Sequence, residues 1–339
     1  MMTTLSPLSY GSTRMLLHYA LALKAAGHDV DVAYEVAPSQ EERVRNSILP
    51  ELESNGIVAI HVPRLSWAVI PIPGDRLTQV VRSRKSELII ASQLRDAAAA
   101  MSVARRCRVR GIVFAQGAAF FRGSAPVRLM KKRLYQKAVR KIATKVICVA
   151  SGVQTRLIQF LQVPGEKTIV IPNGLDLEDV PCADSRHRPE VRSEFGLGSD
   201  DFMFLNIGRF DRVKGLDILV KAVHHLVNGK HELPRENFKV VIAAEAYSRL
   251  TAACRDDLFA MIEQLQVGDR FQFVGFREDC NRLLQAADCF VLPSRTEGLP
   301  LVVLEAFAAQ CPVIMSEYGE RFSGFRNNMD GVYVPVEAP

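Results

Sequence analysis

The chain has 339 residues, 48% of them apolar and 24% charged, with a net charge of +6, which is long enough for two cores of ordinary soluble composition. No apolar run approaches the ~18 to 20 residues of a membrane-spanning helix, and the start MMTTLSPLSYGS lacks the charged head and long apolar stretch of a secretion signal, so a cytoplasmic protein is expected. The seven cysteines are scattered without a C-x-x-C pair, which favours reduced thiols over a zinc site or a catalytic thiol.

Along the chain, the turn SPLSYGST (6–13) opens a helix over 15–27 that Gly27 closes. Gly11 permits close approach of the backbone to an anion there, and Ser12 or Thr13 can cap the helix; any turn from strand to helix has the same look. DVDVAYE follows as a strand whose acids alternate with apolar residues, which explains them better than a metal site does. GIVAIHV, ELIIAS, GIVFAQ and KVICVAS read as buried strands, with LRDAAAAMSVARRC helical between two of them. VQTRLIQFLQ reads as a helix, and TIVIPNGLD carries an Asn-Gly turn of structural character. A polar, turn-rich stretch between Asp176 and Asp201 marks the boundary, giving domains 1–185 and 186–339. The second half runs FMFLNIG, a helix from Gly215 to Val227, KVVIAA, a helix near 251–265, RFQFVGF, DCFVLPS, a helix over 300–309 and PVIMS. Short apolar runs alternating with amphipathic ones predict βαβ units and parallel sheets. Two doubly wound, Rossmann-like α/β domains facing across a cleft would bind a ligand at the carboxyl ends of their strands.

Charge is unevenly spread. Residues 1–170 hold 25 Lys+Arg and 11 Asp+Glu, and residues 171–339 hold 18 and 26, so the halves carry +14 and −8. The segment 127–145 has eight basic residues and no acid, with apolar residues near helical spacing. It predicts a basic amphipathic helix, either docking on an anionic membrane surface or presenting a solvated face. Nucleic acid is disfavoured, since Tyr135 is its only aromatic residue for stacking bases.

Two motifs bear on chemistry. In NIGRFDRVKGLDIL (206–219), Arg209 and Lys214 lie in a loop from Gly208 to Gly215 at the carboxyl end of a strand. Such cations suit phosphate oxygens and a diphosphate leaving group, or they form a basic surface loop paired by Asp211 and Asp217. In PSRTEGLPLVVLEAFAAQCPVI (293–314), Glu297 and Glu305 are eight residues apart, and a continuous helix would set them roughly 80° apart. Gly298 and Pro300 place Glu297 in a turn, with a helix starting near Leu299 or Pro300 and Glu305 inside it. The free N–H groups of its first turn suit a phosphate flanked by hydroxyls; the plainer reading is two solvated acids.

The order of PLSYGSTRMLLHYALALKAAGHDV, VICVAS, VIPNGLD, GRFDRVKG, RFQFVGF and PSRTEGLPLVVLEAFAAQCPVIMS resembles the retaining family-4 glycosyltransferases of the GT-B fold over nearly the whole chain. The resemblance implies transfer of a sugar from a UDP- or GDP-sugar donor to a saccharide or lipid-linked acceptor, with retention at the anomeric carbon and no metal or other cofactor. It implies polysaccharide or glycolipid synthesis in the cytoplasm or at the inner face of the membrane. By position, Arg209 and Lys214 would hold the diphosphate with help from the Gly11 and Gly208 backbone, and Glu297 would lie at the donor sugar. The stretch Gly298, Leu299, Pro300 and Leu301 would bind sugar hydroxyls or phosphate, Glu305 the ribose, and Phe276 with Arg277 would neighbour the base. Where many members carry a His, this chain has Gln116, which takes up no proton at neutral pH. AAEAY stands where glycines are common, the first strand is short, and VYVPVEAP ends the chain before the family's terminal helices. These departures keep open a sugar-nucleotide-binding protein without catalysis, or a sugar-nucleotide epimerase on the same fold.

Overall fold

The computed structural model describes residues 1–4, 7, 11–36, 47–63, 75–117, 125–176, 187–229, 237–246, 249–317 and 325–339. The chain divides into two compact units, Met1–Asn173 and Gly174–Pro339. The expected boundary at 185/186 lies outside the described residues.

The first unit contains β1 (Met2–Thr4), α1 (Gly11–Ala25), β2 (Asp31–Tyr34), α2 (Leu49–Ser54), β3 (Val58–His61), α3 (Arg76–Ser83), β4 (Leu88–Ala91), α4 (Leu94–Cys107), β5 (Arg110–Ala115), α5 (Ala125–Gln136), β6 (Lys145–Cys148), α6 (Ser151–Leu161) and β7 (Thr168–Val170). Its strands are parallel in the order β3-β2-β1-β4-β5-β6-β7. The sheet therefore reverses its winding between β1 and β4, and that switch point is where an open α/β sheet leaves a crevice. α4 is held by a capping box between Gln93 and Asp96 and lies so close to β5 that a Cβ at Gly111 would meet Met101 Sδ at 2.5 Å. The helix expected over 15–27 instead spans Gly11–Ala25, because its first turn, GSTR, is polar and gives no apolar period to read.

The single helix expected over 127–145 is also corrected. α5 passes into a π-helical turn at Lys137–Ile142, and Lys145 already belongs to β6. The wider turn puts Ala138 and Val139 in the core. α5 itself has no buried residue: Leu129 and Met130 are half exposed, and the Lys132 ammonium lies 4.4 Å above the Phe160 ring of α6.

The second unit contains α7 (Arg188–Glu194), β8 (Phe202–Arg209), a 3-10 turn (Arg212–Lys214), α8 (Leu216–Asn228), β9 (Phe238–Glu245), α9 (Arg249–Gln264), β10 (Phe271–Phe273), α10 (Cys280–Ala286), β11 (Cys289–Leu292), α11 (Leu301–Ala308), β12 (Val313–Ser316) and β13 (Gly331–Val334). Its parallel order, β10-β9-β8-β11-β12-β13, switches between β8 and β11. Along β9, Val241 and Ala243 face one core layer while Val240, Ile242 and Ala244 face the other, so a strand covered on both sides is a continuous apolar run. α7 lies within the stretch read as a polar boundary. Val191 is buried, and Arg192 is buried because it donates to the Asp288 carboxylate and to the carbonyls of Gly198, Asp201 and Ala286.

Candidate active site

The motif residues of the second unit gather at the β8/β11 switch point. β8 ends at Arg209, which lies in register with Glu245 of β9. The strand ends are tied across by Asn206, whose Nδ2 donates to Val291 O at 2.7 Å, leaving a buried Oδ1 without a hydrogen-bond partner among the described residues. From β8 the chain runs through the 3-10 turn to Gly215, where φ is +67° and a Cβ would lie 1.9 Å from Pro293 O. Only glycine fits such a conformation against a neighbouring backbone. The loop after β11 thereby abuts the loop after β8, and Arg295 N donates to Val213 O at 2.8 Å.

This contact brings together two residues read separately from the sequence. Lys214 Nζ donates to Glu297 Oε1 at 2.7 Å, and Ser294 Oγ donates to the same oxygen at 2.7 Å. The pair is largely enclosed, with side-chain exposures of 16% and 14%, so each charge depends on the other for much of its lost hydration. Gly208 flanks it, with the Lys214 stem 4.0 Å from where its Cβ would be. Asp217 takes a fork from Arg295, and Asp211 caps the 3-10 turn by accepting from Val213 N at 3.1 Å.

Glu297 lies in irregular chain, and α11 begins at Leu301, with Pro300 as its cap residue and Glu305 half-buried in its second turn. Gly298, Leu299 and Pro300 form the approach to that helix. Phe276 and Arg277 follow β10, which β9 separates from β8. Phe276 is 41% exposed. Arg277 forks onto Asp279 at 2.7 Å and reaches Glu194 of α7 at 3.0 Å, and its hydrogen bonds hold the Asp279 carboxyl below the usual range.

Gly11 belongs to the first unit, where it opens α1 beside the β1/β4 switch point. Gln93 Nε2 donates to Ser12 Oγ at 3.0 Å, while Gln116 Nε2 donates to Ser12 O at 3.1 Å and to Ser92 O at 3.0 Å. Two carbonyl oxygens can only accept, so the Gln116 amide is oriented and both of its hydrogens are used. Beneath them lies Asp96, fully enclosed, accepting from Thr3 Oγ1 at 2.5 Å and from Gln93 N at 3.0 Å; burial pushes its carboxyl up to about 7. Sequence reasoning passed over Asp96, Asn206 and Arg295, which resemble a helix-cap acid, a polar residue near a strand end and a loop charge until their distant partners are known. The Cys148, Cys289 and Cys311 thiols are pushed up to about 12, in each case chiefly by burial, which leaves them poor nucleophiles.

Residues 10–179 match the family described as Glycosyltransferase Family 4, and residues 187–339 match the family described as Glycosyl transferases group 1. The chain belongs to the family-4 glycosyltransferases. Among curated relatives, the chain is 29% identical over 197 residues to the UDP-Gal:alpha-D-GlcNAc-diphosphoundecaprenol alpha-1,3-galactosyltransferase of Escherichia coli, covering 58% of this chain and 48% of that protein. It is also 29% identical over 198 residues to an uncharacterized glycosyltransferase of Methanocaldococcus jannaschii, again covering 58% and 48%. The chain spans about half the length of the curated relatives it matches. Among solved structures, Anabaena HepE in complex with UDP-glucose superposes with a TM-score of 0.80 at 18% identity, covering 99% of this chain and 85% of that one. The chain thus has the GT-B fold, with a Rossmann-like sheet in each unit.

Proposed function

We propose that this glycosyltransferase moves a hexose from a UDP- or GDP-sugar to an acceptor hydroxyl with retention of anomeric configuration, in polysaccharide or glycolipid synthesis at the cytoplasmic face of a membrane. The observation that carries the reading is the Lys214–Glu297 contact at the β8/β11 switch point, one strand end from Arg209. Charge develops on the diphosphate as the anomeric C–O bond breaks, and fixed cations in an enclosed site stabilise it strongly. Arg209 and Lys214 serve as those cations, the task a metal ion performs in other transferases, so the reaction proceeds without one. The ammonium shifts from Glu297 toward the more highly charged diphosphate, and the freed carboxylate accepts from hydroxyls of the donor sugar.

Glu305 accepts from the ribose, the backbone from Gly298 to Leu301 meets sugar hydroxyls or phosphate, and the Gly208 backbone assists at the diphosphate. Arg277 is engaged by carboxylates, so the exposed Phe276 ring offers the base its stacking face. The acceptor oxygen bonds to the anomeric carbon on the face the diphosphate leaves, and its proton passes to the departing phosphate oxygen. Gln116, with no proton to take, fits a step in which the leaving group acts as base. The Escherichia coli relative is named for a UDP-Gal donor and a diphosphoundecaprenol-linked acceptor, which favours a lipid-linked acceptor reached from the basic face of α5.

The test is product formation from a panel of UDP- and GDP-sugars with saccharide and lipid-linked acceptors, with and without EDTA. Transfer unaffected by EDTA is expected, and Arg209→Ala or Lys214→Ala should lower turnover by about 10²- to 10³-fold. Binding without turnover of any donor would instead favour a non-catalytic protein, and alteration of the donor without an acceptor would favour an epimerase.

A further inference from the structure

The guanidinium of Arg295 is occupied on every side. Nη1 donates to Arg212 O at 2.6 Å and to Asp217 Oδ1 at 2.8 Å, Nη2 donates to Asp217 Oδ2 at 2.7 Å and to Glu337 Oε2 at 3.0 Å, and Nε donates to Glu337 Oε1. These bonds use all of the N–H groups that a guanidinium carries in its plane, and a fork onto two carboxylates fixes orientation as a lysine cannot. The backbone N–H of the same residue holds Val213 O. Both carbonyls leading into Lys214, those of Arg212 and Val213, are therefore gripped by one residue that stands two positions before Glu297. Burial would raise the Asp217 carboxyl, but the hydrogen bonds and charge of Arg295 outweigh it and keep it below the usual range.

We propose that Arg295 is a positioning residue for the transfer reaction: it clamps the 212–214 turn to the 293–297 loop so that the Lys214 ammonium and the Glu297 carboxylate meet at one point. Asp217, in the first turn of α8, anchors the clamp to the body of the domain, and Glu337 closes its outer side. This rests on the reading of Lys214 and Glu297 as donor-binding groups. An ion-pair cluster that only ties down the fold would affect melting temperature alone, whereas a clamp acting through Lys214 must also affect turnover and lose that effect once Lys214 is gone.

The experiment measures kcat, KM and thermal melting of the full chain with a donor that the wild type consumes, for Arg295→Met, Arg295→Lys, Lys214→Ala and the double change. A displacement on the ångström scale at the diphosphate should lower kcat for Arg295→Met by about 10- to 100-fold, with little recovery in Arg295→Lys because the fork is lost. In the Lys214→Ala background, Arg295→Met should cost less than about threefold, the non-additivity expected of two residues acting as a unit. Arg295→Met with kcat and KM near wild type, or effects that multiply in the double variant, overturns the proposal. If Arg295→Met fails to fold, Arg295→Lys decides, and wild-type turnover there overturns it. A wild-type chain that neither binds nor consumes any sugar nucleotide overturns the donor-site reading and this inference with it, whereas an active wild type with an unaffected Arg295 variant removes the inference alone.

Discussion

Asp96 shows how a single residue departs from its local pattern. In LRDAAAA it looks like an acid favoured in the first turn of a helix, yet it is fully buried by β1, whose Thr3 lies 93 positions away. Because burial pushes its carboxyl up to about 7, the folded protein keeps a proton that the unfolded chain releases near pH ~4. The sign follows from linkage: the stability this group contributes is complete at acid pH and is lost as pH rises from about 4 through about 7, by ~1.4 kcal/mol per unit at most. Asp96→Asn should flatten that slope, read as urea midpoints that change less between about pH 5 and about pH 8 than in the wild type; an unchanged slope would remove Asp96 as its source. Arg295 hides in the same way, since in PSRTEGLP it reads as one more loop charge. The Glu297 and Glu305 spacing was legible, but the Lys214 that donates to Glu297 lies 83 positions away, and no local period reports a contact over that distance.

At the level of elements, the strands were legible because both faces of each sheet are covered, making LIIA, KVVIAA and CFVL continuous apolar runs. α7 was not, because one of its buried residues is Arg192, and the Asp288 carboxylate and the carbonyls that make that burial possible leave no mark on the local pattern. The joint between the β8 and β11 loops depends on one glycine. Gly215→Ala must push Pro293 away and adopt a left-handed backbone, so a loss of about 1–3 kcal/mol is expected, together with weaker nucleotide binding by calorimetry. Gly165→Ala, with nothing within 4 Å of the added carbon, serves as the control and should alter neither. On the first unit, α5 combines exposed Leu129 and Met130 with lysines and arginines, the composition of a helix that settles at a headgroup boundary. Lys131→Glu with Lys132→Glu should abolish sedimentation with anionic vesicles while leaving neutral vesicles unbound as before; equal binding to both would point to a solvated face.

For the whole molecule, the structural division falls where the charge changes. Residues 171–173, Ile-Pro-Asn, are uncharged, so the units Met1–Asn173 and Gly174–Pro339 carry the same +14 and −8 as the two halves of the sequence. On the proposed reading a dianionic sugar nucleotide would bind a unit that is negative overall, and its recognition would rest on a few enclosed cations, whereas a membrane would meet a broad positive field. Exposed charges are screened over roughly 10 Å at 0.1 M salt and enclosed pairs much less. Raising salt from about 0.05 to about 0.5 M should then release the protein from anionic vesicles while weakening UDP affinity by less than about tenfold; the opposite ranking would contradict this division of labour. The sheet order carries a consequence for the nascent chain as well. β1 is synthesised first yet lies in the middle of its sheet, paired to both β2 and β4, and Met1 N reaches Leu88 O across 87 positions. Until β4 has emerged, β1 has an unpaired backbone edge, and pairings over such separations form slowly. During translation the first unit therefore remains exposed to aggregation for the length of several elements, and the second unit repeats the delay, because β8 waits for β11 in the same way.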